Sequence, residues 1–304
     1  MLAAGITSPL RWCHAQLRCA PPPRVGRRGV GMAAARKVSV VTGAGSGIGR
    51  ALSLLLASKG LTVLAVGRRE EALRETCDMS KAKIEAVAAD VATADGRQSV
   101  AQKVAELCQG DAPLSCVVHS AAVTGEVCSP ENISLEDFSK TMAINVEGPL
   151  FLTKELLPLL TRSQGRVLHI SSGAAHRPLS GCLTYCTSKA ALLQVMRCLD
   201  EDLAPLGVRV GSTMPGVVDT AMQSHLRSQD FEGADIFRSL TPPVASFEGP
   251  KAPPRGLDHP ENVADFLSWL LLEVPLEVFG GREWNIGDPE TQKMWLRSRE
   301  APSF

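Results

Sequence analysis

Short apolar runs alternate along most of the chain with longer stretches of helical spacing. Runs at 37–41, 61–66, 84–88, 114–118, 166–170, 208–213 and 283–286 are rich in aliphatic residues and bounded by turn formers, the pattern of buried strands. Between them, residues 51–58 and 182–204 place apolar side chains at three- and four-residue intervals and predict helices. Near-continuous strands alternating with helices imply an α/β class: one doubly wound parallel sheet with helices on both faces. Such sheets bind ligands at the carboxyl ends of their strands. The segments 43–49, 67–68, 90, 120–122, 171–172 and 215–220 all follow strand ends. Residues 221–258 break the alternation with Thr241-Pro242-Pro243 and Pro250-Lys251-Ala252-Pro253-Pro254, and predict a partly ordered lid. No repeat of 20 to 50 residues is present.

The first strand runs into Thr42-Gly43-Ala44-Gly45-Ser46-Gly47-Ile48-Gly49-Arg50 and then a helix. Glycines at 43, 47 and 49 let the backbone turn tightly, approach a pyrophosphate and pack the helix on the sheet. Unpaired amides at the helix start, around Ser46 to Gly49, suit phosphate. A lone G-x-x-x-G-x-G is weak evidence; set between strand and helix, and followed by a second strand, it defines a Rossmann-type dinucleotide site. The second strand ends at Gly67-Arg68-Arg69, with no acid before Glu70. An arginine there suits a 2′-phosphate, whereas a carboxylate suits free ribose hydroxyls. NADP(H) is therefore the expected cofactor, with Arg68 the first candidate and Arg69 the second. Two solvated arginines opening a helix are the bland alternative, weakened because cations at a helix N-terminus are disfavoured.

Tyr185 is the only tyrosine, four positions before Lys189 and thirteen after Ser172. On a helix, 185 and 189 share a face, where an ammonium would favour the phenolate and draw the phenol below its usual value of about 10. The pair then reads as a proton donor with its tuning cation. The alternative is a phenol anchoring a helix beside a solvated lysine.

With these motifs in order, the chain resembles the short-chain dehydrogenase/reductase family over roughly residues 37 to 288. The resemblance implies a catalytic set of Asn145, Ser172, Tyr185 and Lys189. It also implies cofactor contacts from Gly43, Ser46, Gly47, Ile48 and Gly49 in the turn, and from Asp90 and Val91 at the adenine. Ser120 and Ala121 would follow the fourth strand, and Pro215, Gly216, Val218 and Thr220 would wrap the nicotinamide end. Tyr185, Lys189 and Asn145 would serve both sets, Lys189 binding the nicotinamide ribose and Asn145 supporting a water that relays protons. Where the family commonly has Asn-Asn-Ala-Gly, this chain has His119-Ser120-Ala121-Ala122, so a methyl stands where backbone lies close to the cofactor. The tract Val217 to Arg227 looks like that of sepiapterin reductase and benzil-type carbonyl reductases. Asn285 stands where the pterin enzymes use a carboxylate, which favours a general ketone or diketone reductase.

The implied activity is reversible hydride transfer between NADP(H) and a small carbonyl or alcohol, with reduction preferred. No metal is required, since phenol and serine supply electrophilic assistance. A pterin reductase and an oxidative alcohol dehydrogenase are alternatives; so, in another class, is a non-catalytic NADP sensor or scaffold. Residues 1–36 carry six arginines and no acid, leaving 26 basic against 32 acidic residues beyond, a balance of −6. The acidic body argues against nucleic-acid binding. The leader reads nearly evenly as a mitochondrial targeting segment or as a flexible extension preceding a cytoplasmic start at Met32, and is too short in apolar runs to span a membrane. A homo-oligomer is left open. Residues 289–304 read as a C-terminal tail. Nine cysteines without C-x-x-C describe neither a disulfide framework nor a zinc site. Cys182 and Cys186 read as small side chains at the helix start, His169 as a core residue, and His176 and His225 as candidate substrate contacts.

Overall fold

A computed structural model describes residues 36–231, 234–242, 247–253 and 256–300. The leader through residue 35 and residues 301–304 lie outside the described residues. In chain order, β1 (Val38–Thr42), α1 (Gly47–Ser58), β2 (Thr62–Gly67), α2 (Glu70–Asp78), β3 (Ile84–Ala88), α3 (Ala94–Leu107) and β4 (Leu114–His119) form the first half. There follow α4 (Leu135–Met142), α5 (Gly148–Ser163), β5 (Arg166–Ile170), α6 (Leu183–Leu203) and β6 (Arg209–Met214). The last elements are α7 (Ala221–Ser228), α8 (Ala234–Arg238), α9 (Pro260–Leu272), α10 (Leu276–Phe279), β7 (Glu283–Asn285) and α11 (Pro289–Glu300).

All seven strands are parallel, in the order β3-β2-β1-β4-β5-β6-β7. Each expected strand is present within a residue or two of its sequence boundaries, the central ones buried on both faces and the edge strand β3 only partly covered. On one face Leu52 and Leu56 of α1 and Phe266 and Leu270 of α9 pack against Val41, Val63 and Leu168. On the other, Val100 of α3, Leu152 and Leu156 of α5 and Met196 of α6 pack against Val40, Val117 and Val210. The order reverses between β1 and β4, so a crevice opens at their carboxyl ends.

Between α4 and α5 the helix widens into one π-type turn at Ala143–Glu147, which carries Asn145. The expected lid leaves and rejoins the body at one point: Val218 and Asp258 form an isolated parallel bridge, with Asp219 N donating to Asp258 O (2.9 Å) and Asp258 N to Val217 O (2.8 Å). Within it, α7 and α8 are helical.

Residues 289–304, set apart in the sequence as a tail, begin instead with α11. Their polarity hides one anchor: Trp295 is fully buried, edge-on to Phe266, and its Nε1 donates to Asp265 (2.9 Å). Arg299 pairs with the same Asp265 and with Glu273. Trp295→Ala is expected to destabilise the domain by about 3–5 kcal/mol, as for other large-to-small core changes. Urea unfolding followed by circular dichroism measures it, and a change within about 0.5 kcal/mol would mean that α11 is not part of the core.

Candidate active site

At the crevice, β1 ends in a turn that only glycine can make. Gly43 has a positive φ of 69°, and a Cβ there would lie 2.9 Å from the Cα and N of Ala121. A Cβ at Gly49 would collide with the carbonyl oxygen of Gly43. Thr42 closes the same junction: its Oγ1 accepts hydrogen bonds from the amides of Ser120 and Ala121, both at 3.1 Å. Arg50 bolts the turn to α2 through Gly45 O (2.6 Å), Thr76 Oγ1 (3.0 Å) and Glu75 (2.8 Å). Neither Thr42 nor Arg50 was singled out from the sequence; their signal was their position flanking the glycines.

The turn leaves α1 without a side-chain cap. Ser46 at its N-cap makes no capping hydrogen bond, and no acid lies in the first turn. Its leading amides are therefore open to an anion, in contrast to α3, α4 and α7, which Thr93, Ser134 and Thr220 cap. Gly43, Ser46, Gly47, Ile48 and Gly49 line one cleft of about 990 Å³. Arg68 and Arg69 line it at the end of β2, both exposed. Among the described residues, neither guanidinium has a carboxylate or hydrogen-bond partner. Asp90 and Val91 border it beyond β3, the Asp90 carboxylate accepting from Ala92 N (3.0 Å). Ser120, Ala121 and Ala122 lie along the wall, and Pro215, Gly216, Val218 and Thr220 along the side after β6.

Ser172, Tyr185 and Lys189 come together on the same cleft. Ser172 follows β5 by two residues and its Oγ accepts from Ala174 N (3.2 Å), starting a 3-10 turn at Gly173–Ala175. Lys189, one turn after Tyr185 on α6, donates from Nζ to Ile170 O (2.8 Å), and its Nζ lies 5.6 Å from the Tyr185 ring centroid. Asn145 stands behind this wall, 1% exposed. Its Oδ1 accepts from Val123 N (2.9 Å), and its Nδ2 donates to Val123 O (2.8 Å) and Ser188 Oγ (2.9 Å). Ser188 in turn donates to Tyr185 O (2.8 Å). Both amide hydrogens are thus engaged in tying the loop after β4 to the start of α6.

The electrostatics correct one expectation. Tyr185 is not drawn below the usual phenol value; burial pushes it up to about 12, against the opposing effect of its hydrogen bond with Ser172. Burial also draws Lys189 down to about 8. Burial thus favours the neutral form of both groups, and the nearness of Lys189 does not bring the phenol below its usual value. Beneath it, His169 on β5 is completely buried and held neutral, drawn down to about 3 by burial and then by the charge of Lys189. It sits edge-on to His119, whose Nε2 bonds Thr153 Oγ1 (2.9 Å).

The two histidines expected at the substrate do not line the cleft: His176 pairs with Glu283, and His225 lies on α7 beside Gln229. Asn285 does line it, its Oδ1 accepting from Gly287 N (2.8 Å). Cys182 is buried at the N-cap of α6, its thiol raised to about 11 by burial, and Cys186 is half-buried; both are free thiols. Arg177, Leu179, Met222, Phe237 and Leu240 complete the far end of the cleft and were not foreseen.

A parallel sheet with an uncapped glycine turn at its switch point, joined on one cleft to a serine, a tyrosine and a lysine, defines a Rossmann-type oxidoreductase. The chain belongs to the short chain dehydrogenase family, whose pattern it matches over residues 37–230. It is 34% identical over 203 residues to the human protein "Dehydrogenase/reductase SDR family member 2, mitochondrial", covering 64% of this chain and 69% of that one. An uncharacterized oxidoreductase of Staphylococcus epidermidis is 30% identical over 218 residues, covering 68% and 92% of the two chains. A solved short chain dehydrogenase/reductase from Saccharomyces cerevisiae superposes with a TM-score of 0.73 at 25% identity, over 84% of this chain and 98% of its own.

Because Tyr185 is the only phenol, its titration can be read directly by absorbance. No phenolate is expected to form up to pH 10 in the folded, cofactor-free protein, since the phenol is raised from 10.0 to about 12. Lys189→Met should leave that titration nearly unmoved. A phenolate step below pH 10 while the circular dichroism stays native would contradict this account.

Proposed function

We propose that the protein is an NADPH-dependent reductase that transfers hydride to a small carbonyl compound, a ketone, diketone or quinone, with Tyr185 as proton donor. The observation that carries this reading is the shared cleft: Ser172, Tyr185 and Lys189 on one wall, an uncapped helix start and two unpaired arginines further along it. Bound there, reduced nicotinamide would supply the hydride. The turn residues Gly43 to Gly49 would hold the pyrophosphate on the amides of α1. Arg68 would take the 2′-phosphate, with Arg69 second, and Asp90 with Val91 would border the adenine. Ser120, Ala121, Pro215, Gly216, Val218 and Thr220 would enclose the rest, with Lys189 on the nicotinamide ribose.

Ser172 would hold the carbonyl oxygen by a hydrogen bond, and Tyr185 would give that oxygen its phenolic proton as negative charge develops. A phenol raised to about 12 is loaded with its proton at neutral pH, which favours reduction over the oxidative direction, where a phenolate base is needed. Lys189, drawn down to about 8, releases a proton more readily than an exposed lysine and suits restoring that of Tyr185. Asn145, whose amide hydrogens are both engaged, would serve by fixing the start of α6; a water relay would have to use its other groups.

The tract Val217 to Arg227 supports placement near the carbonyl reductase group. A pterin reading is less supported, because Asn285 offers no carboxylate and its oxygen is engaged with Gly287. The leader is proposed as an import segment, in keeping with the word "mitochondrial" in the human relative's name; a cytoplasmic form starting at Met32 is the other reading. No helix among the described residues is long and apolar enough to cross a membrane.

Three measurements test the function. A screen of ketones, α-diketones, quinones and sepiapterin, following NADPH absorbance, should find turnover; oxidation with none of them would favour a sensor or scaffold. Arg68→Ala should weaken NADPH binding by roughly 10- to 100-fold, the loss of a charge-assisted hydrogen bond, and leave NADH unchanged. Equal losses for both cofactors would reduce Arg68 to a structural role. Tyr185→Phe should bind NADPH normally yet lose at least about 100-fold in kcat, and a variant turning over at the native rate would remove Tyr185 as the donor.

A further inference from the structure

Charge is unevenly distributed along the cleft. Its charged lining residues, among the described ones, are Arg68, Arg69, Asp90, Lys189 and Arg177. The first three lie at the ends of β2 and β3, and Lys189 is held by Ile170 O. Arg177 stands apart from these, two residues beyond the turn that Ser172 opens. Its amide donates to Gly173 O (3.2 Å), folding the chain back so that a Cβ on Gly173 would meet its Nε at 3.7 Å and a terminal nitrogen at 3.8 Å. The guanidinium thus lies over the residue next to Ser172. Among the described residues it has neither a carboxylate nor any other hydrogen-bond partner, and no acid lines this end. Around it the walls are apolar: Leu179, Met222, Leu226, Phe237 and Leu240.

An unpaired guanidinium beside an apolar surface complements a molecule that is anionic at one end and apolar along its length. Arginine binds a carboxylate through two parallel hydrogen bonds, and an apolar chain can lie along the apolar walls of the same cleft. A guanidine-like pterin edge would instead present N–H donors to a group that can only donate. We propose that Arg177 determines specificity in this cleft, and that the substrates are oxo acids carrying a carboxylate and an apolar chain. This deepens the reductase reading and rests on it, since Ser172 and Tyr185 receive the carbonyl while Arg177 holds the carboxylate of the same molecule.

The test separates binding from turnover. Hexanoate and hexanamide share an apolar chain and present no ketone to reduce. Titrated calorimetrically into the full chain with NADP present, hexanoate should bind roughly 10- to 100-fold more tightly than hexanamide. Arg177→Gln should abolish that difference, Arg177→Lys should keep part of it, and both variants should retain native NADP affinity. Equal binding of the two ligands, no binding of hexanoate, or a difference that survives in Arg177→Gln would each overturn the proposal. In turnover, an oxo acid should exceed its methyl ketone counterpart in kcat/KM by a similar factor, through KM, and Arg177→Gln should erase the gap by raising the KM of the oxo acid. Reduction of both at equal efficiency sinks the specificity and keeps the reductase. Selective hexanoate binding with no reduction of any carbonyl compound keeps the anion subsite and sinks the reductase, and with it the assignment of oxo acids as substrates.

Discussion

The contact between the backbone of the glycine turn and the backbone at Ala121 governs the rest of this molecule. It sits where the strand order reverses, and it brings the ends of β1 and β4 within van der Waals distance with no side chain between them. Thr42 locks it by occupying two amides that would otherwise be left unpaired in a largely buried place. Only with that junction closed does α1 start at the crevice, and only then do its uncapped amides face the same cleft as the end of β5. The chemistry and the cofactor cradle are therefore held in register by main chain, with few side-chain degrees of freedom to misplace them.

The other half of the site depends on α6 and what it is tied to. Tyr185, Ser188 and Lys189 occupy one turn of one helix, and Asn145 grips Ser188 from a π-type turn that interrupts the passage from α4 to α5. Single π turns recur where a helix has to re-aim a side chain, and here the re-aimed side chain is a buried amide with its hydrogens spoken for. Burial raises the phenol of Tyr185, which still faces the cleft, and lowers the ammonium of Lys189 behind it.

Much of this was legible in the residues. Seven apolar runs gave seven strands, since parallel strands covered on both faces have little room for polar residues. That the glycines, Arg68, Ser172, Tyr185 and Lys189 would share one cleft was legible because their segments follow the ends of strands in a parallel sheet. What escaped detection depended on contacts distant in sequence. The effect of Lys189 on Tyr185 was misjudged because spacing reveals which groups are neighbours and says nothing of how much water either retains. His176 was assigned to the substrate and instead meets Glu283, 107 positions away. Trp295 lies in a polar stretch whose helix needs only one aromatic ring to anchor it. Arg177 belongs to no motif, and its place on the cleft follows from a local fold-back onto Gly173 that spacing does not reveal.

The bridge between Val218 and Asp258 has a consequence for descent. The excursion between them is closed at its base by main-chain hydrogen bonds, so a change of length in its exposed parts acts on stability through the entropy of a loop whose ends are already joined. That entropy grows as a logarithm, about 0.6 kcal/mol for each doubling. Insertions and deletions there are nearly neutral to the sheet, while they rebuild the wall that Met222, Phe237 and Leu240 contribute to the cleft. In a lineage of related genes this segment can be exchanged like a cassette, and diet of substrates can diverge while the catalytic floor is inherited unchanged.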